Sequence, residues 1–257
     1  MPKEDDPIEA SIQLNEAERR SEIFPFKSET ATVLAAFCAI AAAAFSGTEA
    51  IAASTVGAVL ATLQSIVGGV AIRRQEELIK QLHREFHEQG VTKDYLDRKL
   101  VAAKSELQEL AAEAVVRASE AKSDGAVRRI AKLLTKVLVT TEEIDIEEAR
   151  AMLNIAGNLL DFDAVVLGRM YQEQSVAIEA RHGNVDINDT RASWERLRNS
   201  SEAFRSPKVN AIGSRLQAHG LAMRVEVGPQ AFGLDTYVFS ITDFGIRFCR
   251  WCLSGQN

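Results

Sequence analysis

The sequence predicts a mainly α-helical protein: an N-terminal Ala-rich helical hairpin, a central helical bundle and a C-terminal winged-helix-like domain with a small β-hairpin. Three observations predict it. Aromatic residues are only 6% of the chain while alanine is abundant, a composition that favours helix over sheet. Apolar residues recur at three- and four-residue spacing through the middle of the chain. Alternating β-prone residues are confined to two short runs near the end.

Residues 1–29 read as an acidic, flexible arm. Eight acidic residues stand there against four basic ones, and Pro2, Pro7 and Pro25 interrupt the segment. Residues 30–72 read as an apolar helical hairpin. Thr30–Ser46 and Ala50–Ile72 carry no charge, and Gly47, Thr48 and Glu49 form the polar break between them. As helices these runs would span roughly 26 Å and 34 Å, close to the ~30 Å hydrocarbon core of a bilayer. Lys27 and the Arg73–Arg74 pair flank the outer ends and only Glu49 lies at the turn. That asymmetry fits a membrane hairpin with both ends cytoplasmic. Alanine contributes little to insertion, so a hairpin buried in a soluble bundle or oligomer is the competing expectation. Gly57, Gly68 and Gly69 suit close helix approach in either medium.

Residues 73–175 read as a helical bundle. Leu78, Leu82 and Phe86 form the first stripe, which Gly90 ends. Thr92 is the next N-cap. Leu96, Leu100, Ala103, Leu107, Leu110 and Ala114 carry the second stripe up to a break at Asp124-Gly125. Ile130, Leu133, Leu134, Val137 and Leu138 form a third helix. Ala149, Met152, Leu153, Ala156 and Leu160 form a fourth. Asp161 is read as the cap of a fifth, with Val165, Val166 and Met170 inward.

Residues 176–188 are polar and read as a linker. The winged-helix-like domain is expected over 189–254. Arg191–Arg198 is a short helix around Trp194 and Leu197. Ser206-Pro207 starts a second, which stops near His219-Gly220. Leu221–Val227 and Thr236–Ile241 are the strands, Gly228–Asp235 is the wing, and Asp243 caps a last helix through Phe244, Phe248 and Cys252.

No catalytic site, metal site or cofactor is expected. His83 and His87 sit four apart with Glu85 between them, which is neither H-E-x-x-H nor its inverse. Cys249 and Cys252 have CxxC spacing but no second pair and no βαβ setting, so they read as small apolar residues. Asp161 and Asp163, with Glu142, Glu143, Glu147 and Glu148 upstream, lie at helix starts, where carboxylates favour the dipole. Three cysteines in all, and no basic, apolar leader, suggest a reducing, cytoplasmic setting.

The net charge of −6 excludes a whole-chain basic footprint. The exception is residues 187–224, where seven basic residues face three acidic ones. Arg205, Lys208, Arg215, His219 and Arg224 are the candidate contacts to nucleic acid or a protein partner. Gly228–Asp235 holds no Lys or Arg, which weights the reading toward a protein.

From Arg73 onward the layout resembles bacterial proteins of the abortive-infection alpha type. The residues that carry this are the charged helix Arg73–Phe86, the run Val127-Arg128-Arg129-Ile130-Ala131-Lys132-Leu133-Leu134, an acidic connection and the helix pair Met152–Met170. Leu216-Gln217-Ala218-His219-Gly220-Leu221 and Tyr237-Val238-Phe239-Ser240-Ile241-Thr242-Asp243-Phe244-Gly245 follow. The resemblance, which departs at the Ala-rich hairpin, implies a bacterial protein of phage defence or stress response and carries over no catalytic residues. Joined to the apolar hairpin, it gives the leading expectation of a non-enzymatic, homo-oligomeric protein associated with the inner membrane through 30–72. The alternative is a soluble, oligomeric winged-helix DNA-binding regulator.

Overall fold

A computed structural model describes residues 72–92, 94–96, 98, 105–140, 145–180, 187–200, 208–226 and 237–253. The predicted arm at 1–29, the predicted hairpin at 30–72 except Ile72, Arg205 and the wing lie outside the described residues.

The described chain is mainly helical with one small antiparallel sheet near its C-terminus. Its elements are α1 (Ile72–Glu88), α2 (Ser105–Glu120), α3 (Asp124–Val139), α4 (Ile146–Asn158), α5 (Asp161–Ala180), α6 (Ile187–Asn199) and α7 (Lys208–Ala218). They continue with β1 (Ala222–Glu226), β2 (Tyr237–Ile241), α8 (Asp243–Phe248) and a π-helical turn, Cys249–Leu253.

Helix α3 is the hub. It packs against α1, α2, α4 and the C-terminal π turn. Its apolar stripe, Ile130, Leu133, Leu134, Val137 and Leu138, is buried as the periodicity predicts, and so are Arg129, Lys132 and Thr135. Ser123 starts the helix, its Oγ accepting from the Ala126 amide. The expected break at Asp124-Gly125 is therefore a helix start. Gly125 suits it because a Cβ there would collide with the Asp161 carboxylate. The Arg73–Arg74 pair, read as a membrane flank, lies in the first turn of α1, and both arginines pair with Asp124 at the head of α3.

Helix α1 buries Leu78, Ile79, Leu82 and Phe86 and ends at Gly90, whose φ is 66°, a left-handed conformation that costs glycine little. Thr92 then caps as expected, accepting from the Tyr95 amide at 3.2 Å. The Tyr95 hydroxyl donates to the Val139 carbonyl at 2.8 Å, tying this turn to the end of α3. Asp145 caps α4 through the Glu147 and Glu148 amides.

Three sequence expectations shift around α5. Leu160 and Val165 are exposed rather than inward. Leu160 falls in the turn after α4, and the buried stripe is Val166, Leu167 and Met170, one helical step round from Val165. Asp161 is the first residue of α5, and its carboxylate turns back to Ser123 and Arg129. Within the predicted linker at 176–188 the described residues, 176–180 and 187–188, are helical, because α5 runs to Ala180 and α6 begins at Ile187, and 181–186 lie outside the described residues. Helix α5, assigned by sequence to the bundle, packs against α6, α7, β2, α8 and the π turn. It is the shelf on which the C-terminal elements sit, and the buried apolar residues from Leu78 to Leu253 form one continuous core.

The strands pair with Ala222 opposite Ile241 and Glu226 opposite Tyr237. Trp194 of α6 meets Phe239 at 5.2 Å between ring centroids, and Tyr237 stands edge-on to Phe239 at 5.6 Å. Gly213 of α7 lies directly on the Phe239 ring, where a Cβ would clash. Thr242 caps α8 through the Gly245 amide, one residue before the expected Asp243. Among the described residues, no helix is long and apolar enough to cross a membrane.

Candidate functional site

The outer surface of the C-terminal elements is the candidate site, because α7 and β1 carry the predicted contact residues. Val209, Ile212, Gly213 and Leu216 turn α7 inward. Lys208, Ala211, Ser214, Gln217 and Ala218 are exposed on its other side, and His219 is half-buried at its end. Leu221 donates its amide to the Leu216 carbonyl at 2.9 Å after Gly220, whose φ is 69°. This is the six-to-one closure that stops a helix and redirects the chain, here straight into β1.

Arg215 does not project freely from this surface. Its guanidinium donates to both carboxylate oxygens of Asp163, at 2.8 and 2.6 Å. The Asp163 side chain is only 3% exposed and that of Arg215 is 46% exposed. The hydrogen bonds to Asp163 raise the Arg215 pKa above its ordinary value. The fork-to-fork geometry is the strong form of this pair. Arg224 lies over the Tyr237 ring, with the guanidinium carbon 3.8 Å from the centroid. Of the five predicted contacts, Arg215 and Arg224 thus have partners within the chain, Lys208 is exposed, His219 is half-buried and Arg205 lies outside the described residues.

Sequence reasoning missed the residue that holds this unit together. Gln174 of α5 is buried, its Oε1 accepting from the Ile241 amide at 2.8 Å. Its Nε2 donates to the Phe239 carbonyl at 3.3 Å and to Ser193 Oγ at 3.0 Å, and Ser193 donates on to the Thr190 carbonyl. The amide stands in for a neighbouring strand along the outer edge of β2. Gln174 falls within the segment read as bundle, 73–175, and nothing in its local sequence marks it, because its partners lie 19 to 67 residues away.

Three further charged side chains are interior. Arg129 is 2% exposed and donates to the Ala156 and Leu159 carbonyls, which end α4, and to Asp161 at 2.9 Å. Burial pushes the Asp161 carboxyl upward, but hydrogen bonds from Arg129 and Ser123 outweigh that and hold it below its ordinary value. Glu85 and Lys132 are 6% and 9% exposed. Desolvation raises Glu85 and lowers Lys132, each partly offset by the other's charge.

The two carboxylates at the start of α5 are therefore bonded to arginines, Asp161 to Arg129 and Asp163 to Arg215. The thiols of Cys249 and Cys252 are free and buried in the π turn. Burial raises both well above the ordinary thiol range, the reverse of an activated cysteine. Among the described residues, no three His, Cys, Asp or Glu side chains converge as a metal site.

No family model, no curated protein and no solved structure matches this chain.

Proposed function

We propose that this is a non-enzymatic bacterial protein, membrane-associated through residues 30–72, whose C-terminal winged-helix-like module docks a protein partner. The order helix, helix, strand, strand, helix from α6 to α8 supports the winged-helix reading. The resemblance of the sequence from Arg73 onward to abortive-infection alpha-type proteins is what suggests a role in phage defence or stress response.

The observation that favours protein over nucleic acid is the Arg215–Asp163 pair. Phosphate-backbone affinity needs cations that can exchange counterions for phosphate. Here the arginine nearest the middle of the exposed face is already neutralised by an interior carboxylate. Around it the face is mostly small and uncharged: Ala211, Ser214, Gln217 and Ala218.

Two measurements test the proposal. The full chain should partition with membranes, and a chain lacking 30–71 should move to the soluble fraction. A full chain that is monodisperse without detergent overturns the membrane assignment. Fluorescence anisotropy with a labelled DNA duplex at low salt should show no salt-dependent binding. Binding that falls with salt and is weakened by Lys208→Ala would instead establish the DNA-binding regulator.

A further inference from the structure

The two edges of the β1–β2 sheet are treated differently. Ile241 N–H and Phe239 C=O both point to Gln174. The backbone groups of Phe239 and Ile241 therefore face away from β1, and those of Val238 and Ser240 face toward it. With Val225 opposite Val238 and Met223 opposite Ser240, Met223 and Val225 bond inward to β2. The Thr242 amide donating to the Leu221 carbonyl at 3.1 Å continues the same alternation. By elimination, Ala222, Arg224 and Glu226 turn their amides and carbonyls outward. Among the described residues, nothing hydrogen-bonds to that side of β1. Gln174 closes one edge of the sheet, and among the described residues the other edge is unpaired.

An open edge is a template for another strand. Its side chains specify which strand fits. Arg224 and Glu226 are exposed on one face, and Val225, half-buried, lies between them on the other. Antiparallel pairing of β1 with itself must oppose outward-facing residues. Centred on Arg224, it sets arginine against arginine. Centred on Glu226, it sets glutamate against glutamate. Centred on Met223, it puts Arg224 opposite Ala222. Only centring on Val225 sets each Arg224 opposite a Glu226 from the other copy.

We propose that a second copy of this chain pairs with the open edge of β1, antiparallel and centred on Val225, giving a four-stranded sheet ordered β2-β1-β1-β2. Each Arg224–Glu226 couple exchanges two backbone hydrogen bonds and one ion pair, and the twofold axis doubles both. The two Val225 side chains meet as a non-hydrogen-bonded pair, the closer of the two antiparallel spacings. The pairing does not depend on what α7 recognises.

Oxidative cross-linking of the full chain tests this edge apart from any association through other segments. Val225→Cys puts two thiols at the axis and should give a covalent dimer faster than Met223→Cys, a position that does not meet itself across the axis. In the Val225→Cys background, Arg224→Glu turns both ion pairs into like-charge pairs and should slow cross-linking by about tenfold. Glu226→Arg alone should do the same. Arg224→Glu with Glu226→Arg exchanges the signs and should restore the rate to within about threefold. Cross-linking of Val225→Cys no faster than of Met223→Cys overturns the proposal, and so does a double exchange that stays as slow as either single one.

Discussion

Arg215 of α7 and Asp163 of α5 are joined by two parallel hydrogen bonds across 52 residues of sequence, with the carboxylate interior and the guanidinium at the surface. The pair fastens the C-terminal elements to the helix beneath them. Arg215→Ala would leave a buried carboxylate without its cation. Such breaks cost about 3–5 kcal/mol when both groups are interior. Because the Arg215 side is half exposed and water can screen it, about 2 kcal/mol is expected. Arg215→Lys should recover little, since an ammonium lacks the planar fork. Asp163→Asn in the Arg215→Ala background should regain part of the loss by removing the buried charge. Urea denaturation of the four proteins checks this.

Lys208 is consequently the informative position for nucleic acid. Loss of DNA binding in Arg215→Ala would be ambiguous, because that change also loosens α7 from α5. Lys208 is exposed, so Lys208→Ala should leave stability within about 0.5 kcal/mol of the parent. Equal melting temperatures for Lys208→Ala and the parent confirm that its binding data can be read directly.

Arg129 closes the end of α4 and anchors the start of α5 with one side chain. Arg129→Met keeps much of the volume but orphans two carbonyls and frees Asp161, so a loss of about 3 kcal/mol is expected. The acid limb carries a second signature. The folded-state pKa of Asp161 is depressed, so its stabilisation is present above the unfolded value of about 3.9 and is lost as pH falls through the folded value. Asp161→Asn should therefore lose stability at pH 6 and converge on the parent as pH falls through the depressed folded-state value. Thermal melts across that range measure the convergence.

Glu85 carries the opposite sign of pH dependence and Lys132 the same one, and for both the ionised form is the costly one in the interior. A carboxyl raised by burial favours the fold below its unfolded pKa and opposes it as pH rises, and an amine lowered by burial opposes the fold until pH exceeds its folded pKa. Near neutrality both ionised groups cost stability, and their mutual attraction returns part of it. Glu85→Gln with Lys132→Met should be neutral or stabilising by about 1–2 kcal/mol, whereas Lys132→Met alone should destabilise by roughly 3 kcal/mol. A double variant less stable than the parent would mean that the pair is a net contributor.

The sequence disclosed what local chemistry determines. Leu78, Leu82 and Phe86 lie one helical turn apart and are buried. Thr92 and Asp145 cap, while Gly90 and Gly220 sit at helix ends in the left-handed region. Both strands fall where the alternating runs predicted. Polar side chains whose partners are distant in sequence were not legible. In sequence Arg129 is one basic residue of an amphipathic helix, and only the carbonyl ends of α4 make it interior. Arg215 reads as a surface cation until Asp163 is brought beneath it. Val165 and Val166 are equivalent by composition, and the packing of α5 on its neighbours decides which one turns inward. Periodicity finds a face, but it does not find what the face is paired with.

Gln174 is the sharpest case, since its donor and acceptor must both be right. The amide accepts from Ile241 and donates to Phe239 and Ser193, all in the interior. Gln174→Ala leaves a buried amide and a buried carbonyl unpaired, a loss of about 2–6 kcal/mol at roughly 1–3 kcal/mol per group. Gln174→Glu separates the two functions. An ionised carboxylate still accepts from Ile241 but can donate to neither Phe239 nor Ser193, and it carries an interior charge. Burial would raise its pKa, and protonation would give back one donor. The Gln174→Glu protein should therefore be less stable than the parent at pH 8 and regain part of the difference as pH falls through that raised value, while Gln174→Ala keeps a pH-independent deficit. Parallel pH curves for Glu and Ala would show that volume, rather than the paired donor and acceptor, is what this position supplies.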